Sequence, residues 1–136
     1  KQQVLDALRG EHAVILAQVR AQEEVLEAVW GRYRTYNEEY RVRKAEGLTI
    51  IDATLYQNGL RAVEGEIQRE TDRLEELRRQ EERKRTEVVE AKKETASLEK
   101  LREKKLDLYN KEAAKAEERF LEEFVSTTRA NQSASA

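Results

Sequence analysis

"EGLTIIDATLYQNGL", residues 46–60, carries one charge between Leu48 and Leu60, that of Asp52, in a chain of which 40% is Asp, Glu, Lys or Arg. Its second residue, Gly47, is of the type that accepts the left-handed backbone conformation at the end of a helix. Thr49 followed three residues later by Asp52 has the spacing of a capping box, which starts a helix. The stretch therefore predicts a turn with a helix on either side.

The flanking sequence carries the periodicity that this reading requires. Before the turn, Leu5, Leu8, His12, Ile15, Val19, Gln22, Leu26, Val29, Tyr33, Tyr36 and Tyr40 follow one another at alternating spacings of three and four. After it, Tyr56, Leu60, Val63, Ile67, Glu70, Leu74, Leu77, Glu81, Lys84, Val88 and Ala91 do the same. Both are heptad seams of a coiled coil. Folding the chain about residue 48 places Tyr40 beside Tyr56, Tyr36 beside Leu60, Tyr33 beside Val63, Val29 beside Ile67, and finally Leu5 beside Ala91. Because this centre falls next to Gly47, the expected fold is all-α, a long antiparallel two-helix coiled-coil hairpin with a longer second helix. Its expected bounds are a helix over 2–45, a turn over 46–51 and a helix over 52–128, one hairpin domain within 1–130, with 129–136 as a frayed polar tail. At ~1.5 Å per residue the two helices would be about 65 Å and 115 Å long. Near Leu98 the heptad phase slips, and the second helix runs on without a partner within the chain.

Composition narrows the function. Only 38% of the 136 residues are hydrophobic, with two Phe, one Trp and no Pro, so a thick globular core is not expected. The 26 basic and 28 acidic residues are interleaved, leaving a net charge of −2, which disfavours a nucleic-acid-binding arm or an anionic membrane surface as partner. The chain has no Cys and a single His, so no disulfide framework, thiolate nucleophile or His-rich metal site is expected. No Gly-rich phosphate loop or Ser/His/Asp set is present, and the reading is of a non-enzymatic protein without cofactor, metal or catalytic residues. No apolar run reaches the ~18 residues of a membrane span, so no direct membrane insertion is expected. The start "KQQVLDALRG" lacks Met and a signal-peptide apolar region, and the natural chain is expected to begin upstream.

Some features have a purely structural reading. His12 would face Lys84, a polar layer that sets register. The run "RRQEERKR" from Arg78 to Arg85 contains Glu81 and Glu82 and reads as a solvated helix face with favourable i,i+4 pairs. The turn end differs, because its four outermost layers are apolar or aromatic on both sides. Two helices alone cannot fully bury such layers, and Val25 and Trp30 widen the apolar face. Gly31, Gly59 and Gly65 near this end read either as simply tolerated or as admitting close approach of another chain. An uncharged tip can dock a partner at low desolvation cost.

"VLDALRGEH", the tip segments "YRTYNEEYR" and "GLTIIDATLYQNGLRAVEGEI", and "LEKLREKKLDLYNKEAAKAEERFLEEF" together resemble the flagellar export protein FliJ family, whose relatives serve injectisome-type secretion. The resemblance spans nearly the whole chain. It implies a cytoplasmic component of the type III export apparatus, peripherally associated with the membrane machinery and similar to the rotor stalk of rotary ATPases. The implied partners are the export ATPase hexamer, the export-gate membrane protein FlhA and export chaperones. Carried over, the gate-binding positions are Val29, Tyr33, Tyr36, Tyr40, Tyr56, Leu60, Val63 and Ile67. Leu101, Leu108, Tyr109, Phe120 and Phe124, on the unpartnered part of the second helix, are candidates for the ATPase ring. Arg102, Lys104 and Lys105 would either meet acidic loops of the ring or stay solvated. The alternative is a general coiled-coil client chaperone or tethering module without a stalk role. In either case a monomer is expected when isolated.

Overall fold

The computed structural model describes residues 2–135, which form two helices, α1 (Gln2–Glu46) and α2 (Ile50–Ser135). They pack antiparallel as a hairpin with the second helix the longer. Gly47 has φ of 102° and donates from its N–H to the Lys44 carbonyl at 3.2 Å, ending α1 in the left-handed conformation that its missing side chain permits. Arg43 and Lys44 lie in the last turn of α1, where cations complement the exposed carbonyls. Thr49 caps α2: its Oγ1 accepts from the Asp52 N–H at 3.1 Å, and its carbonyl accepts the first helical bond, from the Ala53 N–H at 3.0 Å. With Thr49 as the cap, α2 opens at Ile50, two residues before the expected 52. At the other end the helix runs through Ser135, so residues 129–135 of the expected frayed tail are helical; Ala136 lies outside the described residues.

Contacts divide the chain into two units, one ending at Ala91 and one beginning at Lys92. The first is the paired hairpin. Every seam residue in it is buried or half-buried, and the most enclosed are Leu5, Val19, Gln22, Val29, Ile67, Leu74 and Val88. In the second unit every side chain from Ala96 to Ala134 is exposed.

The cross-helix partners run at or beside the mirrored register from tip to stem. Tyr40 stacks on Tyr56, Arg32 pairs with Glu66 at 2.9 Å, and Lys84 donates to Glu11 at 2.9 Å. Polar seam residues depart from it in one systematic way. His12 was expected to face Lys84, yet its Nε2 bonds Glu81 Oε2 at 2.9 Å, while Lys84 takes Glu11 and Glu87. Gln22, opposite Leu74 in the mirror, donates instead to both the backbone carbonyl and the carboxylate of Glu70. Long polar side chains reach diagonally to the next layer and satisfy one another, leaving the apolar residues to pack. Among the described residues no buried side-chain nitrogen or oxygen lacks a partner.

Candidate functional site: the hairpin tip

The eight tip residues singled out from the sequence come together in one stretch of the hairpin. Val29 and Ile67 form its innermost, buried layer, while Tyr33, Tyr36, Tyr40, Tyr56, Leu60 and Val63 are half-buried. The seam thus supplies packing and accessible surface from the same side chains. Its tyrosines form a ladder: Tyr36 lies against Tyr56 with ring centroids 5.3 Å apart, Tyr56 stacks on Tyr40 at 5.2 Å and 15°, and the Lys44 ammonium sits 4.7 Å above the Tyr40 ring. Trp30 stands edge-on to Tyr33 at 5.7 Å and remains 40% exposed.

The phenols fix the rings by polar contacts at their outer ends. Tyr56 Oη donates to Glu39 at 2.9 Å, a bond to a carboxylate that raises the phenol's pKa above its ordinary value. Tyr33 Oη donates to Glu64 at 3.4 Å, and Tyr36 Oη to the Leu55 carbonyl at 3.5 Å. Arg32 and Glu66 pair at the edge of the patch, and the hydrogen bond from the guanidinium holds the Glu66 carboxyl below the ordinary range.

Gly59 is explained within the chain, contrary to the reading that it admits another one. A Cβ built there would stand 2.6 Å from Tyr36 Cζ and 2.8 Å from Cε1, so the tyrosine ring occupies the space that the glycine leaves. At Gly31 and Gly65 an added Cβ meets only an arginine guanidinium, at 3.9 Å and 3.5 Å. Gly31 instead lines an open groove of about 640 Å³ with Ala28, Arg32, Thr35, Tyr36, Glu39 and Val63. Small side chains on this flank of α1 let the tyrosine and valine of the seam reach the surface.

Three apolar residues exposed at the tip were not singled out from the sequence. Ile50, Ile51 and Leu55 are 86%, 74% and 61% exposed, the first two in the opening turn of α2 and off its seam. The signal was in the sequence, since isoleucines outside a heptad seam have no partner helix to bury them. In the second unit, Leu101, Leu108, Tyr109, Phe120 and Phe124 are all at least half exposed, and Arg102, Lys104 and Lys105 are exposed beside them. Leu101, Lys104 and Leu108 lie off the line of the others.

Among the described residues no group of three or more His, Cys, Asp or Glu is placed to hold a metal ion, and no helix is long and apolar enough to cross a membrane. The structure is a two-helix coiled-coil hairpin whose end is a half-open aromatic patch. The chain matches the family model of the flagellar FliJ protein over residues 1–134 and belongs to that family. It is a flagellar export-related protein of a non-catalytic family. No curated protein and no solved structure matches it.

Proposed function

We propose that the protein is a non-enzymatic, cytoplasmic stalk of the flagellar type III export apparatus, peripheral to its membrane machinery. It would link the export ATPase hexamer to the gate protein FlhA and assist the cycling of export chaperones. The observation that carries this reading is the tip, where a tyrosine ladder held half-open by its own hydrogen bonds adjoins exposed Ile50, Ile51 and Leu55. Such a surface offers a partner apolar and aromatic anchors with few charges to desolvate. Val29, Tyr33, Tyr36, Tyr40, Tyr56, Leu60, Val63 and Ile67 form the gate-docking face. The helix from Lys92 onward, with Leu101, Tyr109, Phe120 and Phe124 exposed, serves the ATPase ring, and Arg102, Lys104 and Lys105 meet its acidic loops.

Reconstitution with the cognate ATPase hexamer and the soluble part of FlhA tests the reading. A stalk binds the ring at a ratio well below one per subunit and stimulates it, while binding FlhA through the tip. One hairpin per ATPase subunit, or binding to a client without either partner, would replace the stalk with the chaperone or tether reading.

A further inference from the structure

Beyond the stalk reading, the second unit carries an order of its own. From Lys105 the side chains Lys105, Tyr109, Ala113, Ala116, Phe120, Phe124 and Thr127 follow at spacings of four, four and three, repeated. This is an 11-residue period, distinct from the heptads of the hairpin, and it keeps one stripe on one side of a nearly straight helix. Both phenylalanines of the chain lie on the stripe, with Tyr109, Phe120 and Phe124 at 71%, 66% and 62% exposure. A helix with this much uncovered aromatic surface in a regular stripe is shaped for another straight helix.

Charge selects which helix. Residues 99–111 contain five basic side chains (Lys100, Arg102, Lys104, Lys105, Lys111) and three acidic ones (Glu99, Glu103, Asp107). Residues 112–124 contain five acidic ones (Glu112, Glu117, Glu118, Glu122, Glu123) and two basic ones (Lys115, Arg119). Two copies side by side in parallel would set basic half against basic half and acidic against acidic. Turned antiparallel about a twofold axis near Ala113 and Ala114, each basic half meets an acidic half, and the small alanines let the helices approach at the axis. The stripe is thus complementary to itself in one orientation.

We propose that residues 102–127 of two copies pair antiparallel, giving a dimer that is monomeric when dilute. The association is weak and reversible, because it rests on one helix face and on exposed charges that salt screens.

The full chain tests this by equilibrium sedimentation. The mass should rise from 15.9 kDa when dilute toward twice that value at high concentration. The midpoint should fall at or below about 100 μM in low salt and move up at least tenfold in ~0.5 M salt. Arg102→Glu with Lys105→Glu, and separately Glu117→Lys with Glu123→Lys, all on or beside the stripe, should each weaken self-association at least about tenfold, whereas the two variants mixed should associate. Circular dichroism checks that both variants remain helical. Since the chain has no cysteine, Arg102→Cys and Thr127→Cys, at the two ends of the stripe, report orientation directly. In a mixture they should form the 102–127 disulfide, and neither should cross-link efficiently with itself. A mass of 15.9 kDa at every concentration, self-association indifferent to both charge reversals, or 102–102 and 127–127 cross-links would each overturn the proposal.

Discussion

Tyr36 of α1 lies over Gly59 of α2 so closely that the phenol ring fills the place of a glycine side chain, 2.6 Å from where its Cβ would be. The contact explains why a helix-weakening residue sits inside α2 at the tip. It also separates three glycines that look alike in the sequence.

Replacing Gly59 by Ala should destabilise the hairpin despite the helix-propensity gain of about 1 kcal/mol, because Tyr36 must leave the Tyr56 ring and the Leu55 carbonyl. Gly31→Ala and Gly65→Ala, whose new methyls meet only movable arginine ends, should stabilise it by up to about 1 kcal/mol. Thermal melts of the three variants decide the matter, and a stabilised Gly59→Ala would contradict the packing described.

Binding at the tip can be separated from folding. Tyr40→Ala with Leu60→Ala should cost roughly 2 kcal/mol or more of affinity for the gate protein, with some loss of hairpin stability because these residues also pack. Ile51→Ser with Leu55→Ser should leave the melting temperature nearly unchanged, since both side chains are mostly exposed, and still weaken binding at least about tenfold. Normal gate binding by both folded variants would place the docking surface elsewhere.

Deleting residues 98–136 should leave the hairpin folded, because the cross-helix bonds from Lys84–Glu11 to the tip lie outside the deleted part. Gate binding should persist while ATPase stimulation is lost. In the intact protein, ring binding should weaken with salt more steeply than tip binding, as charge contacts are screened and apolar ones are not. Stimulation that survives the deletion would remove the ring role from this segment.

Acid should loosen the stem. The hydrogen bond from His12, with Arg85 nearby, holds the Glu81 carboxyl below its ordinary value of 4.5. A carboxyl depressed in the folded state contributes stability that is present above the unfolded value and lost as pH falls through the folded one. Glu38, Glu66 and Glu76, lowered by Arg41, Arg32 and Arg79 respectively, add to the same trend. The melting temperature should therefore drop below about pH 4.5, and Glu81→Gln should shallow that drop while lowering stability at neutral pH. An unchanged acid profile in Glu81→Gln would show that the His12 layer does not contribute.

The sequence by itself determined the two helices, the place of the turn and the register of the seams, since each depends on local or periodic chemistry. Gly47 and Thr49 end and begin helices through their own backbone bonds, and the seam spacing allows only one face of each helix to turn inward. It also brought the eight tip residues to one place, because a mirrored register fixes which residues are neighbours. Only the tertiary structure decided which partner each polar side chain takes. His12 and Gln22 choose Glu81 and Glu70 over their mirror positions because side-chain length and competing acceptors, not spacing, set those bonds. It likewise decided that Tyr36 fills the gap at Gly59 and that Ile50, Ile51 and Leu55 stay in solvent. The sequence also showed the second helix outrunning its partner, but the packing put the division at Ala91 and not at the phase slip near Leu98, for periodicity does not show where another helix stops covering a face.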